Sequence, residues 1–480
     1  MGTSICFNTK VIRSDCRETF LGKSRYSNSG KWRSKNPKSR RTSQKILKNT
    51  PDLEVEIAHL SSKGDGVGYV TDIKNDANQR QEIYTANTLP GESVRVRLKT
   101  KIGKGYDAEL LELISSSEQR QSPLCASFTR CGGCQLQHLN YDAYLNWKQK
   151  NILNIFEKSN IELHDFRGFK TSKNQKRRRA SFKFKRTVEK SYIGFYEKQS
   201  HQIIELDGCV VLSSELLVTK ELISAGLSRI IPVGIPITVQ INQYETGCDI
   251  LLISEEKLNQ ETEVALTSWA ADTHFQRVSY ICNNEVAATP LYQGRKPTIT
   301  WDDIIISPPP GCFLQPTLFG EKELQTSIIS AYKDAKNCLD LFSGCGTLSA
   351  KLLSKKVRVT AIDSQEDSLS AYQEGYQNSF QDSLLSVETR NLIEAPVMSD
   401  YLNKFDAIML DPPRNGAFTQ INQIALSDCP NVTYVSCNPY SFAKDAAVLI
   451  KAGYKLANLT LLDQFIWTAH CELIANFQKG

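Results

Sequence analysis

No apolar run in the 480-residue chain approaches the roughly 18 residues that a helix needs to cross a bilayer. The first residues also lack the continuous apolar core of a secretory signal. Histidine is scarce, six against fourteen cysteines, so thiols are the chain's main soft metal donors. In a long chain of this kind those cysteines point to reduced thiols or metal ligands in the cytoplasm, not to a disulfide framework. The net charge of +6 is modest, but it is unevenly spread. Residues 1–50 hold thirteen Lys/Arg against Asp15 and Glu18, with too little apolar content to fold alone. That arm reads either as a follower of a phosphate backbone or as a solubilising tail. At 40% apolar, the remainder should build two or three domains.

From residue 51 to about 115 the chain turns to short period-two segments, among them V-E-I at Val55–Ile57 and V-R-V-R-L at Val94–Leu98. Turn chemistry at Gly64–Gly66 and Pro90–Glu92 separates them, and an OB-like β-barrel is the expected outcome. K-G-D-G-V-G-Y, L-P-G-E and V-R-V, in that order, resemble a TRAM domain, an RNA-binding barrel. A central α+β region over 116–310 follows. It opens on C-x5-C-G-G-C at Cys125, Cys131 and Cys134, three thiols within ten residues around two glycines. This is metal-site patterning, with Cys209 the candidate fourth ligand. It is not the C-x3-C-x2-C of radical enzymes, and His138 reads more naturally as a core or surface side chain than as a ligand. A helix is expected from Tyr141 to about Glu157. K-R-R-R-A-S-F-K-F-K-R at Lys176–Arg186 puts cations and aromatics on a strand edge, which suits RNA. Cys248, Cys282 and Cys312 lack ligand spacing.

The last part, 311–480, carries the chemistry. F-L-Q at Phe313–Gln315 precedes a helix, and C-L-D-L-F-S-G-C-G-T at Cys338–Thr347 is an apolar strand entering a glycine loop. The loop lacks the G-x-G-x-x-G of a dinucleotide site and suits a ligand without phosphate. Asp363 ends the next strand, where an acid can meet ribose hydroxyls. Asn391 follows a third strand, and Asp411 opens D-P-P-R-N-G after a fourth. Glycine, acid, asparagine and acid at successive strand ends are the pattern of a class I S-adenosylmethionine methyltransferase. Y-V-S-C-N-P at Tyr434–Pro439 holds Cys437 at another strand end, as a candidate nucleophile or as a small packing hydrophobe. L-D-Q-F-I-W-T-A-H-C-E closes the chain at Leu462–Glu472.

Together D-P-P-R-N-G, Y-V-S-C-N-P and T-A-H-C-E resemble the three C-terminal motifs of the RNA uracil-5-methyltransferase family. The cysteine motif and barrel match its iron–sulfur branch, typified by 23S rRNA enzymes. The resemblance spans about residues 50–480. It implies a Rossmann-like methyltransferase domain, Cys437 as nucleophile toward uracil C6 and Glu472 as the base for the C5 proton. It further implies S-adenosylmethionine held by Gln315, Phe342, Thr347, Asp363, Asn391 and Asp411, and a [4Fe-4S] cluster on Cys125, Cys131, Cys134 and Cys209. Arg414 would position the base or the nucleophile loop. The implied product is 5-methyluridine in 23S rRNA, of the 1939 type. Departures are Ile466 where the family has proline, Trp467 where a polar residue is usual, Thr347 for asparagine and Ser441 for threonine.

Three other readings compete. The substrate could be the T-loop uridine of tRNA, although bacterial enzymes of that kind usually lack the cysteine motif and barrel. A non-catalytic RNA-binding or ribosome-assembly factor should have lost Cys437 or Glu472, and both are present. A DNA cytosine methyltransferase also uses a cysteine, but in another sequence context. Zinc stays open as the alternative to a cluster. Oligomeric state is not written in the sequence, and a monomer is the default expectation.

Overall fold

The computed structural model describes residues 52–480, apart from 72–79 and the single positions 104, 164, 174, 284 and 286. The basic arm of residues 1–50 lies outside the described residues. Among the described residues, no helix is long and apolar enough to cross a membrane.

Five strands, Leu53–Leu60, Gly66–Val70, Gln81–Thr85, Ser93–Ile102 and Gly105–Ser115, close into a barrel. The alternation in V-R-V-R-L decides which side faces in: Val94, Val96 and Leu98 are buried with Val55, Ile57 and Ile83. Gly68 lets the first two strands close on each other, because a Cβ there would stand 2.6 Å from the Glu56 carbonyl oxygen. The outward cations are matched by acids. Arg95 pairs with Glu54 at 3.0 Å and also with Glu112, and Arg97 pairs with Asp52 at 2.9 Å. The Lys/Arg content of this strand therefore does not by itself make a phosphate-binding face.

The second sheet has seven strands, in the order Thr289–Gln293, Arg277–Cys282, Gly247–Ser254, Pro236–Tyr244, Arg179–Arg186, Ser191–Tyr196 and Ile203–Glu205. One sequence expectation fails here. Arg179–Arg186 is not an edge strand, since it is paired on both sides. Phe182 and Phe184 are fully buried core residues, so neither can stack on an RNA base. The period-two alternation of S-F-K-F-K-R was real, but its aromatic face turns inward. The preceding arginines also point into the protein: Arg178 Nε donates to the Gln315 carbonyl at 3.0 Å, and Arg179 Nη1 to that of Leu314 at 3.1 Å.

The third sheet has eight strands. Five parallel strands run in the order Leu385–Thr389, Arg358–Asp363, Asn337–Leu341, Ala407–Leu410 and Asn431–Ser436. Glu472–Lys479 adds antiparallel to the last of these, Tyr454–Asp463 follows it, and Phe166–Thr171 from the middle of the chain completes the edge. The helix Tyr141–Lys158 joins the same body, burying Ile152, Ile155 and Phe156, with the Phe156 ring 5.4 Å from that of Phe442. The apolar runs of these strands are buried on both faces, as a covered parallel sheet requires. All five parallel strands end on one side, where the functional motifs lie.

Candidate active site

The strand Asn337–Leu341 leads into a loop that no ordinary side-chain pattern would favour. Phe342 has φ +59°, Gly344 +54° and Gly346 +86°. At Gly346 a Cβ would meet the Tyr372 ring at 2.3 Å, so glycine is required for space as well as for conformation. The Asp363 carboxylate fixes this loop. It accepts from Gly344 N–H at 2.9 Å through one oxygen and from Gln365 N–H at 2.8 Å through the other. Asn391 folds its side-chain oxygen back onto Ile393 N–H at 3.2 Å, and the Thr347 carbonyl accepts from Gln325. Gln315 is buried between Asp411, to which its amide donates at 3.5 Å, and Gln464, whose amide donates to it at 3.0 Å. Three buried polar atoms along these strand ends have no protein partner among the described residues: Asp340 Oδ1, Ser343 Oγ and Gln464 Oε1. Unspent hydrogen-bonding capacity of this kind suits a polar small molecule without phosphate. S-adenosylmethionine fits it: an amino acid, a ribose and an adenine all need donors and acceptors.

The second half of the crevice follows from strand register. Ser436 pairs with Leu473 on the neighbouring antiparallel strand, so the next residues out, Cys437 and Glu472, emerge side by side. The loop carrying Cys437 is tied down locally. Asn438 Nδ2 donates to the Arg414 carbonyl at 2.9 Å, and Ser441 Oγ to the same oxygen at 3.1 Å. Thus D-P-P-R-N-G and Y-V-S-C-N-P are clamped together, and Ser441 keeps the hydroxyl that a threonine would supply. Gly416, at φ +83°, makes the turn that follows, and Asp445 accepts from the next N–H at 2.8 Å.

Electrostatics single this cluster out. Burial pushes the Asp411 carboxyl up to about 7. Glu472 is held well above the ordinary carboxyl range by burial and then by the Asp411 charge. Burial, followed by Glu472 and Asp411, pushes the Cys437 thiol up to about 11, with the Arg414 cation opposing them. Packing around the His470 ring and the Arg414 cation beside it push the imidazole down to about 4, so it is neutral at pH 7. Its Nδ1 lies 3.4 Å from Arg414 Nη2. A half-buried thiol, two carboxyls of raised proton affinity and one guanidinium form a set able to add to an electron-poor ring and, once a carboxyl is ionised, to take a proton from it.

Residues 299–479 match the family model described as tRNA (uracil-5-)-methyltransferase. An uncharacterized RNA methyltransferase of Brucella suis is 32% identical over 428 residues, covering 89% of this chain and 98% of its own length. The chain belongs to the RNA uracil-5-methyltransferase family. It is an S-adenosylmethionine-dependent RNA uracil-5-methyltransferase. The 23S rRNA (uracil(1939)-C(5))-methyltransferase RlmD of Vibrio vulnificus is 28% identical over 452 residues, covering 91% of this chain and 98% of its own. In solved structures, the tRNA (uracil-54, C5)-methyltransferase of Pyrococcus abyssi superposes with a TM-score of 0.65 at 21% identity, over 88% of this chain and 99% of its own. That likeness establishes the class I methyltransferase fold.

The methyltransferase brings its four motif cysteines into one region. Cys131 and Cys134 are buried in the central core, and Cys125 and Cys209 pack against it. The thiols influence one another: Cys209 and Cys125 raise Cys131, and Cys209 and Cys131 raise Cys134, each after burial, with Cys134 reaching about 11. Backbone N–H groups already point at two sulfurs, Gly133 N–H at Cys131 (3.4 Å), and those of Val211 and Leu212 at Cys209. Among the described residues, however, no three His, Cys, Asp or Glu side chains stand close enough to hold a metal ion. His138 is a core histidine packed at a tilt against Phe128, with Nε2 3.4 Å from the Thr88 carbonyl oxygen.

Several contacts around the site were not anticipated from the sequence. Gln464 lay inside the closing motif but carried no signal of its link to Gln315. Arg178 stood in a run whose basicity suggested RNA, yet it props up the Gln315 backbone. Trp467 does not face the crevice. Its ring is buried against Tyr144 and Tyr141, with centroids 5.0 and 5.7 Å away.

The raised carboxyl at Asp411 carries a stability signature. The folded state binds its proton more tightly than the unfolded chain, whose Asp titrates near 4. The resulting stabilisation is complete below about pH 4 and is lost as pH rises through about 7. Glu472 has the same sign. Asp411→Asn should therefore melt several degrees above the wild type at pH 8, with the gap markedly narrower at pH 5. Thermal melts at the two pH values decide it, and a wild type more stable than the variant at pH 8 would contradict the assignment.

Proposed function

We propose that this enzyme forms 5-methyluridine in 23S rRNA, at a uridine of the 1939 type, with Cys437 as nucleophile and Glu472 as base. The observation that carries the roles is the ladder register that sets Cys437 beside a buried Glu472 of raised proton affinity, with Asp411 and Arg414 completing the pocket. Uracil C5 is too weak a nucleophile to accept a methyl group unaided. Addition of the Cys437 thiolate to C6 turns C5 into an enolate carbon. Bound S-adenosylmethionine supplies the electrophilic methyl group. Glu472, ionised once its own proton has passed to solvent, then takes the C5 proton as a carboxylate, and the Cys437–C6 bond breaks. Gln315, Phe342, Thr347, Asp363, Asn391 and Asp411 would hold the cofactor, with Asp411 also able to contact the uracil. Arg414 favours the thiolate. The target base has to leave its RNA stack to reach Cys437, at a cost of a few kcal/mol, and contacts of the TRAM-like barrel with RNA would offset this. With RNA as substrate, the working compartment is the cytoplasm.

The ribosomal target is favoured by near full-length likeness to the Vibrio enzyme. A second reading, a tRNA uridine, is favoured by the Pyrococcus fold match over nearly its whole length. A denaturing gel with S-adenosylmethionine and 5-fluorouridine-substituted 23S rRNA or tRNA separates them, because fluorine at C5 cannot leave as a proton. We expect a covalent complex with 23S rRNA that is absent for Cys437→Ala. A complex with tRNA alone would transfer the substrate assignment, and none with either RNA would defeat the mechanism.

We also propose that Cys125, Cys131, Cys134 and Cys209 hold a [4Fe-4S] cluster. N–H groups aimed at sulfur are what a thiolate cluster needs. The cluster would join the Cys-rich loop to the strand end at Cys209 and take no part in methyl transfer. Anaerobically purified protein should contain iron and acid-labile sulfide in equal amounts, both lost in Cys134→Ala. Zinc without sulfide would overturn the assignment.

A further inference from the structure

The loop from Gln464 to Cys471 leads from one antiparallel strand to the next and delivers Glu472 to the crevice. It holds a strained residue: Trp467 has φ +63°, a rare conformation for a bulky side chain. The loop is fastened at its base by side chains from the helix Tyr141–Lys158, more than 300 residues earlier. Lys148 Nζ donates to Asp463 Oδ1 at 2.7 Å, to the Tyr144 hydroxyl at 2.9 Å and to the Phe465 carbonyl at 3.3 Å. The Tyr144 hydroxyl donates to Asp463 Oδ2 at 2.6 Å and accepts from Trp467 N–H at 3.0 Å. Asp463 Oδ1 also accepts from Phe465 N–H at 3.1 Å. Lys148, Tyr144 and Asp463 are completely buried. From the other side, Gln135 and Leu136 N–H donate to the Trp467 carbonyl at 2.8 and 3.1 Å.

A completely buried ion pair is a poor source of net stability, because desolvation offsets most of the attraction, and well-packed apolar residues often do as well. What this pair achieves is geometric. Every one of its hydrogen bonds ends on the loop 464–471, on its first anchoring residue or within the triad itself. We propose that Lys148 is a positioning residue for methyl transfer, acting through Asp463 and Tyr144 to fix the loop that aims Glu472 at the C5 proton. This rests on the reading of Glu472 as the base.

In the reaction, the S–C6 bond forms, C5 takes the methyl group, and the C5 proton must reach the carboxylate before the S–C6 bond can break. A misaimed Glu472 therefore stalls the enzyme after methyl transfer, still bonded to RNA. The test uses the full-length enzyme and ordinary uridine-containing RNA. Lys148→Met alone strands the Asp463 charge and risks unfolding, so the variants are Lys148→Met/Asp463→Asn, which removes both charges, and Tyr144→Phe, which removes one hydroxyl. Folding and S-adenosylmethionine affinity are checked first by thermal melt and calorimetry. We expect near wild-type cofactor affinity, turnover down by about 10²-fold in the double variant, and accumulation of a methylated covalent protein–RNA complex on a denaturing gel. Tyr144→Phe should accumulate the same complex to a smaller extent. Wild-type turnover in both variants, or slower turnover without a trapped complex, overturns the proposal. Failure of the wild type itself to attach to 5-fluorouridine RNA instead removes the reading of the site on which it rests.

Discussion

The backbone ladder between Asn431–Ser436 and Glu472–Lys479 is the constraint on which the rest of this enzyme depends. Its register, Ser436 opposite Leu473, leaves Cys437 and Glu472 no choice but to surface together. A slip of one residue would turn both to opposite faces of the sheet. The parallel neighbours carry the same logic across the sheet. Leu410 lies beside Tyr434, and Leu341 beside Leu410, so Asp411 and the cofactor loop arrive at the same end. The crevice is thus built by main-chain hydrogen bonds before any side chain contributes. Side chains then set its chemistry, through burial that raises the proton affinity of two carboxyls and a guanidinium that steadies negative charge on sulfur.

That arrangement has a consequence for the chemistry. The proposed base, Glu472, has to be a carboxylate when it accepts the C5 proton, and its raised proton affinity makes it the stronger acceptor once ionised. Holding Glu472 and Asp411 high comes at the cost of folding stability as pH rises. The surrounding contacts stiffen the two loops instead. Arg414 is bound through its carbonyl by Asn438 and Ser441, and the loop before Glu472 is held by a helix from the middle of the chain.

Much of the site was legible because chemistry concentrates where strands end. Apolar runs breaking into D-P-P-R-N-G, Y-V-S-C-N-P and S-G-C-G-T named the strands and their shared end. The barrel was legible from period-two alternation, and Tyr141–Lys158 emerged as the expected helix. What could not be read was which face of a pattern is covered. Phe182 and Phe184 alternate with lysines, as a half-exposed strand would, yet both sides of that strand are paired and the aromatics lie in the core. Long-range polar contacts were equally hidden. Lys148 on an otherwise apolar helical stripe with Tyr144 and Ile152 was the one visible sign of its buried partner, 315 residues away. The strand Phe166–Thr171, which completes the edge of the methyltransferase sheet, carried no pattern that assigned it there.

The most direct test of the account is the fate of the hydrogen at C5. RNA labelled with tritium at uridine C5 should release one tritium to water for each methyl group transferred by the wild type. With Glu472→Gln, methyl transfer should still occur while tritium stays on the base, attached to Cys437 through C6. Tritium release at the wild-type rate from that variant would contradict the role of Glu472, and with it the central claim that ladder register pairs the nucleophile with its base.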